Sequence, residues 1–224
     1  GIEQVKNEDY ASAVESFDLA LKEADGVVNA FELDILKYRG EAEFMLEDYE
    51  AAAHTYGILA DVDGKEPEYL YYKAASEAMA GNPDTAVEDY AKAAEAAKDR
   101  KEAPAGAAVA VSSIADAYRT AGNYDGAVGF CSQAIESGIS GPEIYNQMGL
   151  CMMAAERFDE AVSYFEQGIA LGDGEQVQQM MYNMGAVYEK RGDFGKALET
   201  FRNYVSKYGS TPELEKEIAF LESR

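Results

Sequence analysis

ERFDEAVSYFEQG, residues 156–168, reads as an amphipathic helix entered from a polar turn. Phe165 follows Ala161 by four residues and Gly168 follows Phe165 by three, offsets that place all three on one helical face. Five other stretches carry the same pattern: NEDYASA (7–13), LEDYEAA (46–52), GNPDTAV (81–87), GNYDGAV (122–128) and RGDFGKA (191–197). Their alanines, Ala13, Ala52, Ala86, Ala127, Ala161 and Ala197, are spaced 39, 34, 41, 34 and 36 residues apart. Four residues beyond them stand Phe17, Tyr56, Tyr90, Cys131, Phe165 and Phe201; three further on stand Ala20, Leu59, Ala93, Ala134, Gly168 and Tyr204. Small residues alternating with large ones are what close helix–helix packing requires.

A second helix precedes each of these. Twelve residues before the alanine comes a small residue, Gly40, Ala74, Ala115, Gly149 or Gly185. Glycine within a helix costs about 1 kcal/mol relative to alanine, so its use here points to close backbone approach. Pro67-Glu68-Tyr69, Pro142-Glu143-Ile144 and Pro212-Glu213-Leu214 repeat one opening, in which proline suits the first helical position and glutamate the positive end of the helix. Asn82-Pro83-Asp84 opens another helix, with Asn82 as its expected cap. The expected fold is all-α: antiparallel helix pairs stacked into a solenoid.

A helix–turn–helix unit of roughly 34 residues, with small residues in these columns and aromatics between them, resembles the tetratricopeptide repeat (TPR) family. The resemblance covers nearly the whole chain as six units, near 1–26 (truncated), 27–66, 67–102, 103–140, 141–174 and 175–211, with a capping helix over 212–224. It implies a right-handed superhelix whose concave wall is built from the first helix of each unit. Tryptophan is absent; Leu36, Leu70, Val111, Tyr145 and Met181 fill the column where the family often carries it. The first alanine lies 12 residues after Gly1, which reads as a shortened leading helix and suggests further sequence upstream. The two long steps predict helices lengthened around Asp25–Asp34 and Lys98–Ala107, punctuated by Gly26, Pro104 and Gly106.

Composition narrows the function. Of 224 residues, 42 are acidic and 19 basic, a net charge of -23. A polyanion meets repulsion, so nucleic acid and bare anionic membrane are unsuitable partners. No run approaches the roughly 18–20 apolar residues of a membrane span. Two cysteines and one histidine leave no multi-ligand Cys/His zinc cluster, and Cys131 and Cys151 sit in apolar helical settings that suit buried thiols. His54 lacks an identifiable catalytic partner, the acids around Glu47 and Asp61 do not form a calcium loop, and no phosphate-binding loop is present. Catalysis, metal and cofactor are therefore not expected.

What remains is the surface of the stack. The resemblance implies an inner face made by Lys37, Glu41, Phe44 and Met45; Tyr71, Ala75 and Met79; Ser112, Asp116 and Arg119; Asn146, Leu150 and Met153; and Tyr182, Ala186 and Glu189. Aromatic and methionine side chains on such a wall anchor a peptide through large, adaptable contact area. The competing reading is that several of them pack against the neighbouring first helix. The family's clamp for a carboxyl-terminal chaperone peptide uses lysine and asparagine; Ser113, Gln147, Leu150, Gln179 and Asn183 hold those columns, and only Asn183 fits. The expected partner is a protein or peptide, neutral to basic, with apolar anchors. A ligand-sensing regulatory module and a recruiting arm of a larger enzyme or extracytoplasmic assembly remain as alternatives. Gly1–Gly64 carries 16 acids and 4 bases, whereas Glu175–Arg224 carries 8 and 7. The open apolar edge at the N-terminal end is a candidate surface for a second copy or for an upstream helix. Both a cytoplasmic and an extracytoplasmic location, the latter behind an upstream signal or lipid anchor, fit the sequence.

Overall fold

The computed structural model describes residues 1–23, 29–64 and 66–224. Among the described residues there are thirteen helices and no strand. They are α1 (Ile2–Lys6), α2 (Tyr10–Lys22), α3 (Ala30–Met45), α4 (Tyr49–Val62), α5 (Pro67–Met79), α6 (Pro83–Ala97), α7 (Ala107–Thr120), α8 (Tyr124–Glu136), α9 (Pro142–Ala154), α10 (Phe158–Ile169), α11 (Glu175–Lys190), α12 (Phe194–Tyr208) and α13 (Pro212–Glu222). The chain forms two compact bodies, Gly1–Ala117 and Tyr118–Arg224, whose boundary falls within α7. In the first, each helix from α1 to α6 packs on the next; in the second, α8 to α13 do the same, and α9 also meets α11. Each body is thus a stack of antiparallel helix pairs, the α-solenoid architecture.

One turn makes every pair. Five residues before the repeat alanine the backbone is left-handed, at Glu8, Glu47 and Glu156 (φ 57–61°) and at Gly81, Gly122 and Gly192 (φ 76–86°). The next residue's N–H reaches back five positions to the carbonyl of Gln4, Glu43, Glu77, Tyr118, Met152 or Tyr188, at 2.8–3.0 Å. These bonds satisfy a carbonyl at the end of the first helix. That same residue starts the second helix: Asp9, Asp48, Asn123 and Asp193 each accept a backbone N–H three residues on. A β-carbon in this conformation is strained, whereas glycine adopts it freely. Glu47→Gly is therefore expected to raise unfolding stability by about 1 kcal/mol, read as a shift in the urea midpoint.

The repeat columns form the core. All six alanines are fully buried, and Phe17, Tyr56, Cys131, Phe165 and Phe201 are buried with them. The close approach inferred from the glycines is present. A methyl group added at Gly185 would lie 2.5 Å from Phe201 Cε1, one at Gly40 3.0 Å from Tyr56 Cζ, and one at Gly149 would collide with the Phe165 ring. Cys131 and Cys151 are buried free thiols; burial, with Cys151 adding to it, pushes the Cys131 thiol up to about 12. Prolines 67, 83, 142 and 212 each open a helix as expected, and α13 ends at Glu222 with Leu214 and Leu221 buried.

Two local readings change, and a third lies in part outside the described residues. The lengthening placed at Lys98–Ala107 is a loop: α6 stops at Ala97 and α7 starts at Ala107. Pro104 cannot serve as an interior helical donor, Gly106 is left-handed (φ 80°), and Arg100 ties the segment to Glu66 at 3.1 Å. Asn82 holds the cap position of α6 without a side-chain cap bond. Of the other lengthened segment, residues 24–28, including Gly26, lie outside the described residues; beyond it, Asn29 and Glu32 form a capping box at the start of α3.

Two charged clusters cross the helix pairs of the first body in one register. Arg39 lies 3.0 Å from Asp18 and 3.1 Å from Glu43, and the Thr55 hydroxyl donates to Glu43 at 2.6 Å. Thirty-four residues later, Lys73, Glu77 and Asp89 occupy the same columns. Lys73 lies 2.5 Å from Asp89 and 3.4 Å from Glu77, and Lys92 reaches Asp89 at 2.6 Å. Burial raises the Glu43 and Glu77 carboxyls. It opposes ionisation of Asp89 too, but hydrogen bonds from Lys73 and Lys92 hold that carboxyl below its usual range.

Candidate protein-binding surfaces

In the first body, the exposed face of α3 borders a concavity of about 320 Å³. Lys37, Glu41, Phe44 and Met45, all expected on the inner face, line it together with Tyr56, Glu68, Tyr69, Tyr72 and Val109. The α3 residues recur at i, i+4 and i+7, so one side of the helix supplies the wall. Tyr69 and Tyr72 come from α5, and the first turn of that helix brings Glu68. Tyr56 and Tyr72 stack at 5.1 Å with an interplanar angle of 21°, while Phe44 meets Tyr49 edge-on at 5.2 Å. Lys37 Nζ sits 5.7 Å from the centre of the Tyr69 ring and 3.8 Å from Asp34. A hydrogen bond to Tyr69 raises the Lys37 ammonium despite some desolvation. Burial raises the Tyr56 and Tyr72 hydroxyls, and the nearby carboxylates of Glu41 and Glu68 raise both further.

Among the described residues of the second body, two depressions involve the expected set. The larger, about 510 Å³, is lined by Arg119, Leu150 and Met153 from the expected set and by Ala154, Glu156, Phe158 and Lys190. The smaller, about 300 Å³, is lined by Tyr182 with Glu175, Gln178, Gln179 and Tyr204. Its aromatic wall is held by Tyr182 against Phe201 at 5.6 Å and Tyr204 at 6.0 Å, and Gln178 Nε2 donates to the Tyr204 hydroxyl at 2.7 Å.

Tyr71, Ala75 and Asn146 do not belong to an exposed inner face. Tyr71 is 1% exposed, its ring edge-on to Tyr90 at 5.5 Å, and Ala75 is fully buried. Asn146 is also buried and donates to Gln176 of α11 at 2.9 Å. The physical reason is crowding, since these positions face neighbouring helices of the stack. Met79 is exposed, but it lines none of the three depressions. Ser112, Asp116, Ala186 and Glu189 are half-buried and also lie outside their linings. Burial, reinforced by Glu217 of α13, raises the Glu189 carboxyl. Of the clamp columns, Asn183 is buried and accepts from Gln179 at 3.1 Å, and Ser113 is buried.

Sequence reasoning missed the wall role of Tyr56, Glu68, Tyr69, Tyr72 and Val109, which complete the first concavity. Tyr72 carried a signal, four residues after Glu68 and next to a column assigned to the wall. His54 is exposed on α4. Among the described residues, no group of three or more His, Cys, Asp or Glu could hold a metal ion, and no helix is long and apolar enough to cross a membrane.

Known proteins share both the pattern and the architecture. The tetratricopeptide repeat family profile matches residues 1–57, 39–103 and 152–212. Tetratricopeptide repeat protein 8 of Caenorhabditis elegans is 26% identical over 156 residues, which is 70% of this chain. The match takes in only 29% of that relative's own length. Among solved structures, a tetratricopeptide repeat protein from Parabacteroides merdae superposes with a TM-score of 0.65 at 18% identity, covering 99% of this chain and 80% of the other. PilW, a type IV pilus biogenesis factor, superposes with a TM-score of 0.69 at 14% identity, covering 97% and 94%. With the repeat columns buried, one turn closing every pair and the family profile spanning most of its length, this chain belongs to the tetratricopeptide repeat family.

Proposed function

We propose that this chain is a protein-interaction scaffold that holds an extended peptide, or an extended segment of a protein, against the first helices of its repeats. Stacked helical repeats provide such extended binding walls without any chemistry of their own. The observation that carries the reading is the concavity bordered by α3: Phe44, Met45 and the tyrosines opposite enclose a space that the first body leaves open. Arg119, Leu150 and Met153 border a comparable space in the second body. Apolar anchors at these places suit leucine, methionine or aromatic side chains, and the charge of -23 favours a neutral-to-basic partner.

The test is a quantitative pull-down from the native source. It compares the wild type with a Phe44→Ala, Met45→Ala, Leu150→Ala, Met153→Ala variant of matched helicity. Leu19→Ala, at another exposed apolar position, serves as the control. Tyr71 is left intact because its replacement would report on the core. A partner held by the wild type and the control, and recovered at least about tenfold less by the quadruple variant, is the expected result. Equal recovery by all three would move the binding surface away from these walls.

A further inference from the structure

Within the concavity of the first body, the charges do not balance. Lys37 is engaged by Tyr69 and Asp34 and also feels the Glu68 carboxylate, while among the described residues neither Glu41 nor Glu68 lies within ion-pair distance of a cation. Glu68 has a local reason to be acidic, since it occupies the first turn of α5 and faces the positive end of that helix. Glu41 has no such reason, being in the middle of α3. Glu41 of α3 and Glu68 of α5 line this one cavity with Tyr56 and Tyr72, whose hydroxyls, already raised by burial, they raise further. The cavity therefore combines the edges of Tyr56 and Tyr72, whose ring faces are taken by each other and by Gly40 and Gly106, an apolar rim of Phe44, Met45 and Val109, and two carboxylates.

We infer that this cavity receives an arginine side chain of the bound segment, its stem along Phe44 and Met45 and its guanidinium hydrogen-bonded to Glu41 and Glu68. The inference rests on the peptide-holding function proposed above and names the residue that the first body selects. A guanidinium fits this arrangement better than an ammonium. It is flat, it is more weakly hydrated, and its five donors serve two carboxylates at once. A volume of about 320 Å³ lies within the range of ordinary side-chain and ligand pockets. Lys37 opposes the cation, but it stands against three carboxylates, Asp34, Glu68 and Glu41, so the site is negative.

The probes are pools of synthetic nonapeptides, degenerate at every position except a central Arg, citrulline, Lys or Leu, with affinity for the whole chain read by fluorescence anisotropy. Citrulline keeps the shape of arginine without its charge. The Arg pool is expected to bind about tenfold more tightly than the citrulline pool, and more tightly than the Lys pool. Glu41→Gln with Glu68→Gln should bring the Arg-to-citrulline ratio to about one. Phe44→Ala with Met45→Ala, in the same body, should weaken all pools and leave the Arg-to-citrulline ratio well above one. Arg and citrulline pools bound equally by the wild type would overturn the inference while leaving the scaffold reading in place. So would a ratio that survives the double glutamine variant, since that marks general attraction to an acidic protein. Arg and Lys pools bound equally would overturn the guanidinium assignment, and retention of no pool would overturn the scaffold reading and the inference together.

Discussion

Phe165→Ala is expected to destabilise the second body by about 3–5 kcal/mol, the range for removing a fully buried phenylalanine ring. Phe165 is fully buried, and its ring lies against Gly149 so closely that a methyl group there would collide with it. The alanine variant therefore loses the burial of the ring and leaves a cavity between α9 and α10. That cavity cannot close readily, because α9 also packs on α8 and α11. Equilibrium urea denaturation followed by circular dichroism measures the loss. A change below about 1 kcal/mol would mean that the helix pair relaxes around the missing ring and that the glycine–aromatic column contributes little. Gly149→Ala probes the same contact from the other side, with the better helix former predicted to give the less stable protein.

Lys73→Met should cost about 3 kcal/mol at neutral pH, because it leaves Asp89 and Glu77 buried beside each other with only Lys92 in reach. The pH dependence has a definite sign. Asp89 has a folded pKa below its usual 3.8, so in the wild type its contribution is complete above that value and is lost only as pH falls through the lower folded pKa. Glu43 and Glu77 have folded pKa values above 4.5. Their contribution is complete below 4.5 and is lost as pH rises through the folded values. Wild-type stability should therefore decline from mildly acid to neutral pH. Without Lys73 the two facing carboxylates take up protons more readily, so the cost of the substitution should shrink as pH is lowered from 7 towards 4.5. Denaturation midpoints of both proteins across that interval check the point. A cost independent of pH would assign Lys73 a packing role through its stem.

The charged clusters show where legibility ended. Arg39, Glu43 and Thr55 recur 34 residues later as Lys73, Glu77 and Asp89, so the register was present in the sequence. Charged residues on a helix are ordinarily solvated, however, and their burial depends on which neighbour covers them. The same limit applied to the inner face. Lys37, Glu41, Phe44 and Met45 border an open concavity, whereas Tyr71 and Ala75, in equivalent columns one repeat later, are enclosed. Periodicity assigns a side to each helix. It does not say whether that side meets solvent or another helix.

The amino-acid sequence by itself determined the helices and their pairing. Alanine columns, proline at first positions and small residues opposite rings act through local dihedral preference and steric size, so each can be read from a few neighbouring residues. The tertiary structure alone decided which faces stay open and that Tyr56, Tyr69 and Tyr72 meet Glu41 and Glu68 in one cavity. Those outcomes depend on helices separated by tens of residues, because the distances and angles between packed helices are set by all the side chains between them at once.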